Sequence, residues 1–192
     1  MIRPAVLSVL TAIALPIAGG TISAAMTSTG KPPTVTFRGA EYILRWSQGT
    51  QYEFTPAGQE DLDAWTDMLT LNLYPKATSG EDLAGVANGV LGNYQGINGK
   101  IVRTNSVPAT PKAPAEHFIA AVLPSPKFLE FAAARFVLIG KDAGRVVYSH
   151  RVYGAAAGQP MSAWMGSNGP DIEKDMMAFD IGRMMNAVKT SK

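Results

Sequence analysis

From residue 34 onward the apolar positions follow two periods, two and about 3.6. Tyr42, Leu44 and Trp46 alternate with Glu41, Ile43 and Arg45, and after the turn 47–50 Tyr52 and Phe54 continue the alternation. That pattern predicts a hairpin of two half-buried strands. Residues 65–74 alternate again, with Leu69, Leu71 and Leu73 on one face, until Pro75, which cannot donate a ladder hydrogen bond. The period then changes. Leu83, Val86, Ala87, Val90, Leu91 and Tyr94 form a single apolar stripe at helical spacing. Thr78 with Glu81, or Ser79 with Asp82 one residue later, has the spacing of a capping box at its start. Gly85, Gly89 and Gly92 fall inside this helix, where each costs up to about 1 kcal/mol relative to Ala, and close approach to a sheet would account for them.

Four further strands are predicted at 100–106, 116–123, 128–139 and 145–153. The last two are long and apolar, and Gly140 to Gly144 reads as a five-residue hairpin loop between them. Residues 161–165 suit a single helical turn, Asn168-Gly169-Pro170 an interruption, and 171–188 a final helix with Pro170, Asp171 and Glu173 at its positive end. Strands in runs with helices inserted singly argue for an α+β fold. The expectation is a mainly antiparallel sheet of about six or seven strands packed against two main helices, one mid-chain and one C-terminal. This order is similar to that of proteins of the Mog1/PsbP-like type, a sheet between helices; the likeness is one of architecture, and no motif in these residues carries an activity across.

The first 30 residues have a different character. Arg3 is followed by an apolar run over 5–18, then by small residues as far as Ser23 and Ala25, and no other charge occurs before Lys31. This is the order of a secretory signal peptide, with the cut after Ala25. The expected organisation is therefore a signal peptide at 1–25, a flexible leader at 26–33 and one α+β domain at 34–192. The expected destination is the periplasm or the extracellular space, with no stable membrane insertion after the cut. No Cys follows the apolar run, which excludes a bacterial lipid anchor, and the chain has no Cys at all, so neither disulfides nor thiolate metal sites enter.

Composition narrows the chemistry. Hydrophobic residues make up 46% and charged residues 17%, so the bulk of the chain folds. Lys and Arg total 17 against 15 Asp and Glu, without the clustered basic patch that nucleic-acid binding needs. The two histidines, His117 and His150, have no compact ligand spacing, and a metal requires three or four converging groups. Ser149 precedes His150, but neighbouring strand residues point to opposite faces and cannot form a nucleophile–base pair. There is no G-x-S-x-G elbow and no phosphate loop, and no cofactor is called for.

With the five-residue loop, Ala134 lies opposite His150, Phe136 opposite Tyr148 and Leu138 opposite Val146. The other face then gathers Arg135, Ser149, Arg151 and Tyr153, two guanidiniums close enough to favour a small anionic ligand or a partner protein's carboxylate between them. The competing account gives each Arg an internal partner such as Glu130, Glu173 or Asp175. Met176, Met177, Met184 and Met185 make the final helix methionine-rich, which suits core packing, a thioether Cu(I) site or a self-association surface. The sequence reading is thus an exported, non-catalytic ligand- or protein-binding accessory module of the cell envelope. Its rivals are an envelope hydrolase or other enzyme around His150, Arg151 and Tyr153, and a self-associating protein using the Met-rich helix.

Overall fold

The computed structural model describes residues 31–140 and 142–190. The expected signal peptide, and all of the expected leader except 31–33, lie outside the described residues. The fold is α+β, an open antiparallel sheet of eight strands with three helices. The strands are β1 (Thr34–Phe37), β2 (Ala40–Gln48), β3 (Gln51–Pro56), β4 (Asp67–Tyr74), β5 (Lys100–Val107), β6 (Glu116–Pro124), β7 (Phe128–Ile139) and β8 (Asp142–Tyr153). The helices are α1 (Gly80–Gly96), α2 (Gly158–Ala178) and α3 (Ile181–Lys189). The sheet order is β1-β2-β3-β4-β8-β7-β6-β5, so β1 and β5 are its edges.

The extra strand comes from a turn that the sequence hides. Arg38 and Gly39 both take positive φ, 50° and 79°, and reverse the chain between β1 and β2. A two-residue hairpin of this kind is usually marked by Asn-Gly or Asp-Gly, not by Arg-Gly.

Alternation places one set of side chains beneath α2 and α3. Phe37, Tyr42, Phe54, Leu69, Leu71, Phe131, Ala133, Val146 and Tyr148 pack with Met161, Ile172, Met176, Ile181, Met184, Met185 and Val188. The thioethers of Met176, Met184 and Met185 are therefore spent inside this core, and Met177 is partly buried against it. Leu83, Ala87, Val90 and Tyr94 of α1 are buried on the opposite face, where α1 packs on β5, β6 and β7. Of the two capping boxes, Ser79 with Asp82 is the one formed: the Ser79 hydroxyl accepts from the Asp82 amide at 3.1 Å.

Two expectations are corrected. The chain from Gly158 to Ala178 is one helix with Pro170 inside it, not a single turn followed by a break. Buried contacts from Met161, Ile172 and Met176 hold it together, and tertiary packing of this kind overrides a local helix breaker. The helix does break later, where Phe179 turns extended and Asp180 caps α3 by accepting from the Arg183 amide at 2.8 Å.

Candidate functional site

The second correction decides the site. Ile139 pairs with Asp142, so β7 and β8 are joined across residues 140 and 141, with Gly140 at φ +65°, instead of by a five-residue loop. The register moves by three residues. Phe131 lies opposite His150, Ala133 opposite Tyr148 and Arg135 opposite Val146. An odd shift inverts the facing of one strand relative to the other. Arg135 therefore joins the face of Tyr148 and His150, while Ser149, Arg151 and Tyr153 point to the α1 side. The four residues of the expected anion face do not share a face, and neither do His150, Arg151 and Tyr153.

Each of the two arginines has a partner inside the chain. Arg135 forms a two-pronged ion pair with Glu116, Nε to Oε2 and Nη2 to Oε1 both at 2.9 Å. Its Nη1 donates to the carbonyls of Met176 and Phe179 at 2.9 and 2.8 Å, adding a second donor to carbonyls at the α2 C-terminus that each also accept a backbone amide. On the other face the Arg151 Nε donates to Glu130 Oε2 at 2.8 Å, and the Ser149 hydroxyl donates to Oε1 of the same carboxylate. The Arg151 guanidinium lies between the rings of Trp65 and Phe128, 3.8 and 3.9 Å from their centroids. Tyr153 packs edge-on against Phe128 and its hydroxyl donates to the Trp65 carbonyl at 2.7 Å, tying the 57–66 loop to the sheet.

His150 is held on the α2 side. Its ring stacks on Trp164 with centroids 3.9 Å apart, and its Nδ1 lies 3.0 Å from Asp67 Oδ1, which also accepts from the Tyr148 hydroxyl at 2.8 Å. Burial alone would raise the Asp67 carboxyl, but hydrogen bonds from His150, Tyr148 and Thr66 and the His150 charge outweigh it and hold the group below the usual range. Burial, with Asp67 as the second cause, pushes the Tyr148 phenol far up. His117 faces the other way, opposite Phe136, with its Nδ1 2.9 Å from the Ser106 hydroxyl on β5 and its Nε2 buried without a partner.

The two histidines thus lie on opposite faces of the sheet and cannot share a metal. Each histidine's contact supplies only two of the three members that a catalytic triad requires. Asp67–His150 is a carboxylate-oriented imidazole, with no nucleophile hydroxyl bonded to it among the described hydrogen bonds. The Ser106–His117 contact has the residue types of a nucleophile and its base, but among the described hydrogen bonds no carboxylate orients the imidazole. Among the described residues no three His, Cys, Asp or Glu side chains gather where a metal ion could sit.

No family model matches the chain. No curated protein matches it either. Solved structures resemble it only at low similarity, two of them as follows. One is the 1.9 Å crystal structure of the Saccharomyces cerevisiae Ran-binding protein Mog1p, with 10% identity and a TM-score of 0.40 over 66% of this chain and 73% of that one. The other is human STARD10, with 10% identity and a TM-score of 0.30 over 70% and 71%. Likenesses this distant say nothing of what the chain binds.

What remains is the surface. Two shallow clefts of about 80 and 260 Å³ lie beside β1 at the α2–α3 joint, with Phe179 and Asp180 in both linings. The larger holds the Arg38–Asp175 ion pair, 3.0 Å, and the Asp180 carboxylate that caps α3. The opposite edge is more open. All of β5 except Ile101 is exposed, and Val102 and Val107 are 45% and 41% accessible, two of the exposed large hydrophobics of the described chain. Sequence reasoning placed a strand at 100–106 but had no means of knowing that it forms an edge, which depends on the pairing of β5 with β6 alone. The Asp67–His150 and Ser106–His117 contacts were hidden for the same reason: both cross between strands whose adjacency no local pattern encodes.

No described helix is long and apolar enough to cross a membrane.

Proposed function

We propose that this is an exported, non-catalytic protein of the cell envelope, periplasmic or secreted, that works by holding a partner protein at the open edge of its sheet. The observation that carries the binding part is β5: eight residues long, exposed along nearly its whole length, and bearing both Val102 and Val107 in the open. An edge strand presents unpaired amides and carbonyls, which proteins ordinarily blunt or cover, and which serve as a template for an added strand when left free. The other edge, β1, has only four residues. Support for export comes from the amino-terminal order of Arg3, the apolar run and the small residues Ser23 and Ala25.

The test places a photo-crosslinking amino acid at Val107, and as a control at Asn88 on the exposed side of α1, in the protein produced in its own cell. The expected result is a covalent adduct with one identifiable envelope protein from Val107 and none from Asn88. Adducts equally frequent from both positions, or recovery of the protein from the cytosol with its first residues intact, would refute the reading.

A further inference from the structure

We infer that the occupant of β5 is an extended, acidic segment of the partner protein, which pairs with β5 as a ninth strand. This rests on the binding reading above and adds the chemistry of the ligand. Between Asp82 and Glu116 the chain contains no acidic residue, while Lys100, Arg103 and Lys112 all fall there, on β5 or in the loop that follows it. Lys100 and Lys112 have no carboxylate partner among the described ion pairs. Arg103 pairs with Glu173 of α2 through its Nε and still has a side chain 61% exposed. Glu173 offsets the Arg103 charge, which leaves Lys100 at the start of β5 and Lys112 in the loop after it as the unmatched cations, and an added strand with carboxylates toward its ends would neutralise them. A second copy of this chain would instead bring Lys and Arg against Lys and Arg.

Geometry sets the length of the added strand. A bulge between Ile101 and Arg103 interrupts the ladder, and from Arg103 to Val107 the strand pairs regularly with residues 116–120. The bulge and Lys100 blunt the first part of the edge, as edge strands commonly are, and leave five regular residues for pairing. Arg103, Asn105 and Val107 lie on the α2 face of that run, since they pair with Ala120, Phe118 and Glu116; Thr104 and Ser106 lie on the other. An apolar side chain of the added strand opposite Val107 would cover its exposed surface, and the carboxylates belong toward the strand's ends, since Glu173 already holds Arg103 and Asn105.

The experiment uses the purified protein as recovered from the envelope and three blocked seven-residue peptides. These are Thr-Glu-Val-Glu-Val-Glu-Thr, the same peptide with Lys for each Glu, and the acidic peptide with alternate backbone amides N-methylated. The expected result is that the acidic peptide binds, that the basic and N-methylated ones bind at least about tenfold more weakly, and that amide exchange slows at residues 103–107 in the bound state. Added salt should weaken the acidic peptide's binding. The double variant Lys100→Glu/Lys112→Glu changes two exposed side chains outside every described ion pair, so it should fold as the parent does and reverse the preference between acidic and basic peptides. Equal binding of the acidic and basic peptides, no binding of either, or exchange unchanged over 103–107 would overturn the inference. So would a dimer in sedimentation equilibrium whose β5 amides are protected without peptide, which assigns the edge to a second copy. Crosslinking from Val107 to an envelope protein together with failure of the acidic peptide would sink the acidic strand and leave the binding role standing; absence of the crosslink removes both.

Discussion

Arg135 shows how much one side chain can carry when its charge is buried. Only 8% of the residue is exposed, and its guanidinium serves both the Glu116 carboxylate and two C-terminal carbonyls of α2. Arg135→Met keeps most of the stem but leaves the Glu116 carboxylate without its cation. Breaking a buried pair from one side is costly, so unfolding in urea should show a loss of about 3 kcal/mol; Glu116 is more open, and Glu116→Gln should lose less. Two carboxyls give opposite pH responses. Asp67 is held below its ordinary range, so its contribution is fully present above that range and disappears as pH falls through the folded-state value; Asp67→Asn should flatten this acid-side loss. Glu53 is raised, chiefly by burial, against smaller lowering by Gln51 and Arg151. Its folded state prefers the proton, so stability falls as pH rises from the ordinary carboxylate range to the raised value. Glu53→Gln should therefore be more stable than the parent at pH 7, with the gap closing on acidification, as thermal unfolding across pH would record.

The elements were legible to different degrees, for physical reasons. The α1 helix was readable from its stripe and capping box because both are local, and Ser79–Asp82 formed as one of the two spacings allowed. Its glycines do not serve the close approach to a sheet that their spacing suggested. A Cβ on Gly85, Gly89 or Gly92 would meet nothing within 4 Å, so they face outward and permit no close packing. Each is a Gly in a helix at ordinary φ, and Gly→Ala there should raise stability by about 0.5–1 kcal/mol apiece, read as a higher midpoint in urea. Pro170, which looked like a boundary, lies within α2 because core contacts on both sides of it outweigh the missing amide. The candidate site was the least legible. Its residues lie on β7 and β8, but their grouping hung on the connection between those strands, and the shift of three residues sent Arg135 to the opposite face. Arg151 found Glu130, one of the internal partners the competing account had named, while Arg135 found Glu116, which it had not. Periodicity reports which residues share a strand face; it does not report which strand is the neighbour.

At the scale of the whole molecule, α2 reaches both ends of the open sheet. Its Asp175 pairs with Arg38 at the β1–β2 turn, and its Glu173 holds Arg103 and Asn105 on β5. These pairs are partly exposed and worth little individually; the apolar layer beneath them, from Phe37 to Val188, holds the layers together. A chain without Cys must depend on such a layer, since no disulfide is open to it in any compartment. Export is thus compatible with the fold's source of stability, and it makes a prediction that the folded part cannot make for itself. A signal peptidase accepts small side chains at the residue it cuts after and two positions earlier, here Ala25 and Ser23. If the proposed export holds, mass spectrometry of the protein recovered outside the cytosol should find a chain beginning at Met26. Ala25→Arg places a long charged side chain where a small one is required, so the same cells should accumulate a precursor still beginning at Met1 and fractionating with membrane, while an exposed-site control such as Asn88→Arg should leave processing unchanged. A parent protein that itself begins at Met1 in that fraction would mean that residues 5–18 serve as an anchor, and that β5 meets its partner from a membrane surface instead of free in the compartment.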